Sequence, residues 1–237
     1  MSTRIIPDII VGRLPIYLRA LRYMEKKNDE PLASLRLELT EAKKQDNKSL
    51  QRLKEMEVNK LLNTSSQELG DIVGISAAQI RKDLSQFGGF GTQGTGYKID
   101  ALITNIMEIL NVDRVWNVAV IGAGDMGHAL TRYQGFGDRG FRIKMVFDNN
   151  PELIGKKIGD LTILSIENME SELIDANVTI AMLTVPASVA QEVTDQLIES
   201  RIKAILNYAP IDITVPDNVV VQYIDPSIHL QRMTYYL

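Results

Sequence analysis

The sequence predicts an α/β protein: an N-terminal winged helix-turn-helix domain, then a Rossmann doubly wound parallel-sheet domain and a C-terminal helix. Three observations lead there. Two capped helices joined by a Gly-containing turn occupy 65–87; a glycine-rich segment carrying Phe90 and Tyr97 follows; and a Val/Ile strand runs straight into Gly122-Ala123-Gly124-Asp125-Met126-Gly127. The domains expected are 1–110, with a charged helical insertion at 30–62, then 111–225, and a final helix over 226–237.

Composition narrows the chemistry. The 237 residues are 45% hydrophobic and 24% charged, the balance of a folded globular chain. No window approaches the run of about 20 apolar residues that a membrane span needs, and Met1 to Pro15 lacks a signal-peptide core, so a cytoplasmic protein is expected. Cysteine is absent, which removes disulfides, thiolate metal sites and cysteine nucleophiles. With only His128 and His229, a zinc enzyme is not expected, and neither metal ligands nor catalytic residues are assigned. Residues 1–110 carry 16 basic and 14 acidic side chains, while the remainder carries 10 and 16. That asymmetry is in the direction expected of a first part that meets a polyanion.

Leu14, Ile16, Tyr17, Leu18, Leu21 and Met24 recur at helical spacing and predict a helix near Pro15 to Lys26. Leucines at three- and four-residue steps between Glu30 and Leu62, broken at Gln45 to Ser49, predict two further helices, either a solvated pair or a partner-binding face. Ser65 or Ser66 caps a helix Gln67 to Val73, which Gly74 stops; Ser76 caps Ala77 to Phe87. In the second helix Ile80, Leu84 and Phe87 share one face, and Gln79, Arg81, Lys82 and Ser85 point elsewhere. Helix dimensions fit a major groove, Arg and Lys pair with guanine edges or phosphates, and a helix N-terminus favours phosphate. Ser76, Gln79, Arg81 and Lys82 are therefore candidate DNA contacts, Arg81 and Lys82 foremost; the alternative is an ordinary helical hairpin with solvated basic residues. Gly88, Gly89, Gly91, Gly94 and Gly96 predict a wing whose backbone can approach a phosphate or minor groove, with a flexible linker as the alternative.

Asn117 to Ile121 is a strand, and the loop Gly122 to Gly127 opens a helix through Ala129, Leu130 and Tyr133. In a dinucleotide-binding loop the first Gly permits the turn, the second admits the pyrophosphate, and the third lets helix pack on strand. The next strand, Arg142 to Phe147, ends in Asp148, 21 positions past Gly127, where an acid holds ribose hydroxyls and repels a 2′-phosphate. The cofactor expected is NADH or NAD⁺, although Lys156 and Lys157 downstream could blur that preference. Strands at Leu161 to Leu164, Val178 to Thr184, Lys203 to Asn207 and Val219 to Ile224, with helices at Ile166 to Asp175 and Ser188 to Ser200, continue the alternation. A similar fold with a purely structural glycine loop is the alternative. The strand-end turns Thr184-Val185-Pro186 and Asn207-Tyr208-Ala209-Pro210 either line the nicotinamide side or are capped turns. Only 51 residues follow Pro186, too few for the second domain that a dehydrogenase needs to hold its substrate.

Taken together, the residues resemble the bacterial redox-sensing repressors of the Rex family along nearly the whole chain. The resemblance runs through Gly12-Arg13-Leu14-Pro15, Tyr17-Leu18-Arg19, Gln79-Ile80-Arg81-Lys82-Asp83-Leu84-Ser85, the Phe87 to Tyr97 segment, Val120 to Gly124, Phe147-Asp148, Leu183 to Ala187, Ile205 to Pro210 and Tyr223-Ile224-Asp225. It implies a homodimer that binds palindromic operator DNA when NADH is scarce and lets go when NADH binds, with the C-terminal helix exchanged between subunits. It further implies that Gly94 and Gly96 reach the minor groove, and that Arg13, Tyr97 and Asp225 link the DNA-binding domain to the nucleotide site. The stretch Glu30 to Leu62 is longer than the family's usual link, and the tail Asp225-Pro226-Ser227-Ile228-His229 departs from its usual helix start. An NAD-dependent dehydrogenase and a cofactor-independent DNA-binding protein are the competing readings.

Overall fold

A computed structural model describes residues 6–90 and 96–237. The chain divides between Asp113 and Arg114 into two compact units. Among the described residues no helix is long and apolar enough to cross a membrane.

The first unit runs α1 (Asp8–Val11), α2 (Leu14–Lys44), α3 (Lys48–Leu62), β1 (Asn63–Thr64), α4 (Ser66–Val73), α5 (Ala77–Leu84), β2 (Tyr97–Lys98) and α6 (Ile99–Ile109). The helix expected to end at Lys26 instead continues to Lys44 through Pro31. Pro31 deprives the Lys27 carbonyl of its helical donor, but both residues are exposed, so that carbonyl can turn to water. Packing against α3 carries the helix onward: Asn28 Nδ2 donates to the Leu61 carbonyl (2.8 Å), Gln51 Nε2 to that of Ala42 (3.1 Å), and Lys54 meets Glu38 at 2.7 Å. The break at Gln45 to Ser49 is where sequence placed it, with Asp46 at φ 49° and Asn47 accepting from the Leu50 N–H.

Ser65 and Glu68 form a reciprocal capping box on α4, and Gly74 ends that helix at φ 70°. Ser76 caps α5 by accepting from the Gln79 N–H. α5 closes at Leu84, three residues short of the expected Phe87, because the last N–H groups tighten onto i−3 carbonyls (Gln86 to Asp83, Phe87 to Leu84) before Gly88. Among the elements not anticipated are β1, β2 and α6. β1 and β2 pair antiparallel, Asn63 with Lys98 and Thr64 with Tyr97. α6 buries Ile99, Leu102, Ile103 and Ile106 against Leu14, Tyr17, Leu18, Leu21, Leu69, Ile80 and Leu84 in one core, on which the half-buried Phe90 and Tyr97 also pack.

The second unit runs β3 (Trp116–Ile121), α7 (Asp125–Arg132), a 3₁₀ turn (Gln134–Arg139), β4 (Phe141–Asp148), β5 (Lys157–Ile158), β6 (Leu161–Ser165), α8 (Met169–Asp175), β7 (Ile180–Leu183), α9 (Ala187–Glu199), β8 (Ala204–Asn207), β9 (Val220–Tyr223) and α10 (Pro226–Thr234). The sheet order is β5-β6-β4-β3-β7-β8-β9, parallel except for β5 against β6. Chain order therefore reverses between β3 and β7, where a doubly wound sheet opens a crevice at its strand ends. Alternation along β3 sends Ala119 and Ile121 into one core with α8 and α9, and Val118 and Val120 into the other beneath α7. The crossover from β4 to β6 contains no helix; turns and the short β5 hairpin replace it.

Candidate functional site

The glycine loop sits on this reversal. Gly122 adopts φ 99°, and a Cβ on it would lie 2.8 Å from the Thr184 carbonyl oxygen, so only glycine fits. Gly127 is excluded from any other identity by the Gly122 carbonyl, which a Cβ would strike. Gly124 differs. Its φ is −66°, and a Cβ there would meet no atom within 4 Å. Nothing inside the chain requires glycine at 124, whereas close approach of an outside group to its backbone would.

Gly124 opens α7, whose first turn has no side-chain cap, leaving N–H groups directed out of the helix end. Asp148 stands at the end of β4: its Oδ2 accepts from the Ala123 N–H at 2.6 Å and its Oδ1 from the Asn150 N–H at 2.7 Å. Thr184 braces the loop, with its hydroxyl 2.8 Å from the carbonyl oxygens of both Ile121 and Gly122 and its own N–H donating to Ile121. Between these groups lies a cleft of 710 Å³ lined by Gly122, Gly124, Asp148, Thr184, Val185 and Pro186, and by Asn149, Asn150, Leu153, Ile166, Val189, Glu192, Val193 and Gln196. That volume is within the usual range of small-molecule sites. The structure thus gathers six of the expected nucleotide residues, with Ala123 entering through its N–H.

Asp125 and Met126 are exposed on the first turn of α7 and do not line the cleft. Tyr208 also stands apart, half-buried against Val118, Val120, Ala123 and Met182, and burial raises its hydroxyl pKa. Its neighbour Asn207 is spent on a turn, donating to the Ile211 carbonyl and accepting from the Ala209 N–H. The contribution of α9 through Glu192 and Gln196 was missed; the stripe Val189-Val193-Gln196 at helical spacing was the available signal. Among the described residues no three His, Cys, Asp or Glu side chains gather as a metal site.

On α5, Arg81 and Lys82 are exposed, as are Ser76 and Ser85. Arg81 Nη1 reaches Ser66 Oγ at 3.5 Å, a long contact that leaves most of its donors free. Gly96 has φ 79° and abuts the Thr64 carbonyl, so pairing of the two short strands accounts for it; Gly94 lies outside the described residues.

The group that sequence reasoning missed is Asp83. It is fully buried, and four donors converge on it: Arg13 Nε (2.6 Å) and Nη2 (2.7 Å), Tyr17 hydroxyl (2.7 Å) and Gln79 Nε2 (2.7 Å). Burial opposes its ionisation, yet the hydrogen bonds from Arg13, Tyr17 and Gln79 outweigh that and hold the carboxyl below its ordinary range. Burial, then Asp83, pushes the Tyr17 hydroxyl up, and the bond to Asp83 raises Arg13. The legible signal was position: 83 falls on the stripe Ile80-Leu84-Phe87, where an acid must be paired. Arg13 thus clasps the expected DNA-reading helix. Tyr97 lies on β2, and Asp225 caps α10 by accepting from the Ser227 N–H, which lowers its pKa.

Comparison with known proteins agrees with this division. Residues 113–211 match the family described as "CoA binding domain", and 49–85 match "Putative DNA-binding protein N-terminus". The redox-sensing transcriptional repressor Rex of Roseiflexus sp. (strain RS-1) is 42% identical over 231 residues, covering 98% of this chain and 90% of that protein. The chain belongs to the Rex family. Rex of Chloroflexus aurantiacus is 41% identical over the same share of this chain and 94% of its own. The crystal structure of RSP in complex with β-NAD⁺ and operator DNA matches with a TM-score of 0.81 at 33% identity, covering 99% of this chain and 93% of that one. RSP in complex with β-NADH matches at a TM-score of 0.77 and 32% identity, over 99% of this chain and 95% of that one. The Rex fold, a DNA-binding N-terminal domain joined to a Rossmann-like sheet, is the architecture found.

Proposed function

We propose that this Rex-family chain is an NADH/NAD⁺-responsive repressor: as a homodimer it binds palindromic operator DNA, and binding of NADH releases it. The observation that carries this reading is Gly124, a glycine explained by an approaching ligand and not by packing, which lines a 710 Å³ cleft together with Asp148. The cleft fits a dinucleotide. The loop Gly122 to Gly127 and the uncapped start of α7 would hold the pyrophosphate, and Asp148 the adenosine ribose; Thr184, Val185 and Pro186 would flank the nicotinamide. Bound nicotinamide supplies a charge difference, positive when oxidised and neutral when reduced, and an apolar enclosure favours the neutral form by desolvation.

DNA contact falls to Ser76, Gln79, Arg81, Lys82 and the wing with Gly94 and Gly96. Two features support the coupled dimer. No residue of α10 is buried, and Ile228, Leu230, Met233, Tyr235 and Tyr236 are exposed around the tail, as a helix exchanged between subunits would require. Arg13, assigned with Tyr97 and Asp225 to the link between domains, holds α5 through Asp83. Linkage makes antagonism reciprocal: if NADH weakens DNA binding, DNA weakens NADH binding by the same factor, about 5- to 150-fold for a typical coupling. No catalytic step is assigned; His128 and His229 are both exposed and outside the cleft.

The test is titration of NADH and of NAD⁺ into a labelled palindromic operator complex. Release by NADH at concentrations where NAD⁺ leaves the complex intact supports the reading. Equal operator binding with and without NADH, or turnover of a small alcohol or acid, defeats it.

A further inference from the structure

We infer that Asp83 is a positioning residue for base reading: it orients the Gln79 amide so that the remaining N–H and Oε1 read an adenine in the major groove. This rests on the reading of α5 as the helix that enters that groove. A carboxylate only accepts, so the atom that Gln79 turns toward Asp83 must be Nε2, and the two ends of the amide are thereby distinguished. One N–H is consumed at 2.7 Å. The other N–H and Oε1 have no partner among the described residues, and Gln79 is half-exposed in the first turn of α5, the end that approaches base edges.

An amide offering one donor beside one acceptor matches adenine, which presents N7 as acceptor and N6 as donor; guanine presents two acceptors and pairs with Arg or Lys. Asp83 cannot touch DNA itself, being fully buried. Nor is it free to swing, because Arg13 grips both of its oxygens and Tyr17 fixes one. Gln79 therefore meets DNA with its amide already oriented, which spares part of the ordering entropy of a long flexible side chain.

The experiment selects duplexes from a random-sequence library with the full-length protein, wild type and variant, and then replaces single adenines by 7-deazaadenine. Wild type is expected to fix an A·T pair in each half-site at which 7-deazaadenine weakens binding about 5- to 150-fold. Gln79→Ala and Asp83→Leu, which removes the acceptor, are expected to accept all four pairs at that position, to keep their preferences elsewhere, and to bind NADH as wild type does. A merely structural Asp83 would lower affinity without altering base preference, and that result overturns the inference. Should Asp83→Leu fail to fold, Arg13→Lys, which keeps the cation and loses the bidentate fork, is read for base preference alone; an unchanged preference with it overturns the positioning role. If Arg81→Ala and Lys82→Ala leave DNA binding intact, the groove reading of α5 fails and this inference with it. If they weaken binding while Gln79→Ala retains the A·T preference, only this inference fails.

Discussion

Arg13→Ala tests the buried knot beneath α5. The substitution removes two charge-assisted hydrogen bonds, at 2.6 and 2.7 Å, and leaves the fully buried Asp83 with only Tyr17 and Gln79 as donors. Each charge-assisted bond is worth about 1.5–3 kcal/mol, and breaking one partner of a buried pair costs about 3–5 kcal/mol, so the two routes agree. Because the Arg13 side chain keeps 19% of its exposure, the lower part of that range applies, about 3 kcal/mol at pH 7.5. The pH dependence is the sharper part. In wild type the Asp83 pKa is depressed, so its contribution is complete above the ordinary carboxylate range and disappears only as pH falls through the lowered folded value. Without the guanidinium, burial dominates and raises that pKa, so the variant recovers stability by taking up a proton as pH falls, at most about 1.4 kcal/mol per pH unit. Urea unfolding followed by far-ultraviolet circular dichroism at pH 7.5 and pH 5 measures the gap, with fluorescence of Trp116, the single tryptophan, following the sheet. The gap should narrow toward pH 5. A gap below about 1 kcal/mol at pH 7.5, or one that is constant or wider in acid, refutes the account of Asp83 as a buried, ionised anchor.

Gly124→Ala should leave thermal stability nearly unchanged, since the added Cβ meets nothing, yet weaken NADH binding by tenfold or so in calorimetry; Gly127→Ala, whose Cβ strikes the Gly122 carbonyl, should lower the melting temperature instead. Asp148→Arg should reduce the preference for NADH over NADPH in paired titrations, and an unchanged ratio would remove Asp148 from the ribose. Arg81→Ala should weaken operator binding and lower the slope of log K against log salt by about 0.9 if the lost contact is to phosphate, while NADH affinity stays as in wild type.

The sheet was legible because its strands are short apolar runs with conformational punctuation: Asn117 to Ile121 ends at a glycine forced to φ 99°, and β4 ends at an acid whose spacing from Gly127 has a chemical reason. What could not be read is where tertiary contact overrules local signal. The first helix was expected to end near Lys26, but exposure around Pro31 and the grip of Asn28, Gln51 and Lys54 between α2 and α3 let α2 run on through that proline. α6 carried a helical stripe, Ile99-Leu102-Ile103-Ile106, that went unassigned beside the glycine-rich segment. β1 and β2 are two residues each and exist because Gly96 lets them approach.

The site was legible to the same degree and for the same reason. The glycine loop, Asp148 and the turn at Thr184 are local in sequence and their roles are positional, so three of the cleft's walls could be named in advance. Asp83 belongs to the other kind. It stands 70 residues from Arg13, and a helical wheel reports only that an acid occupies an apolar face. Such a residue costs stability unless a cation and further donors are brought to it, and Arg13, Tyr17 and Gln79 are there. A hydrophobic residue in its place would pack α5 as well, but it would leave the Arg13 guanidinium without its acceptor and the Gln79 amide free to flip. On the role inferred for Asp83, the carboxylate serves orientation: packing can hold a helix in place, whereas only directional bonds can fix which edge of a side chain the helix presents.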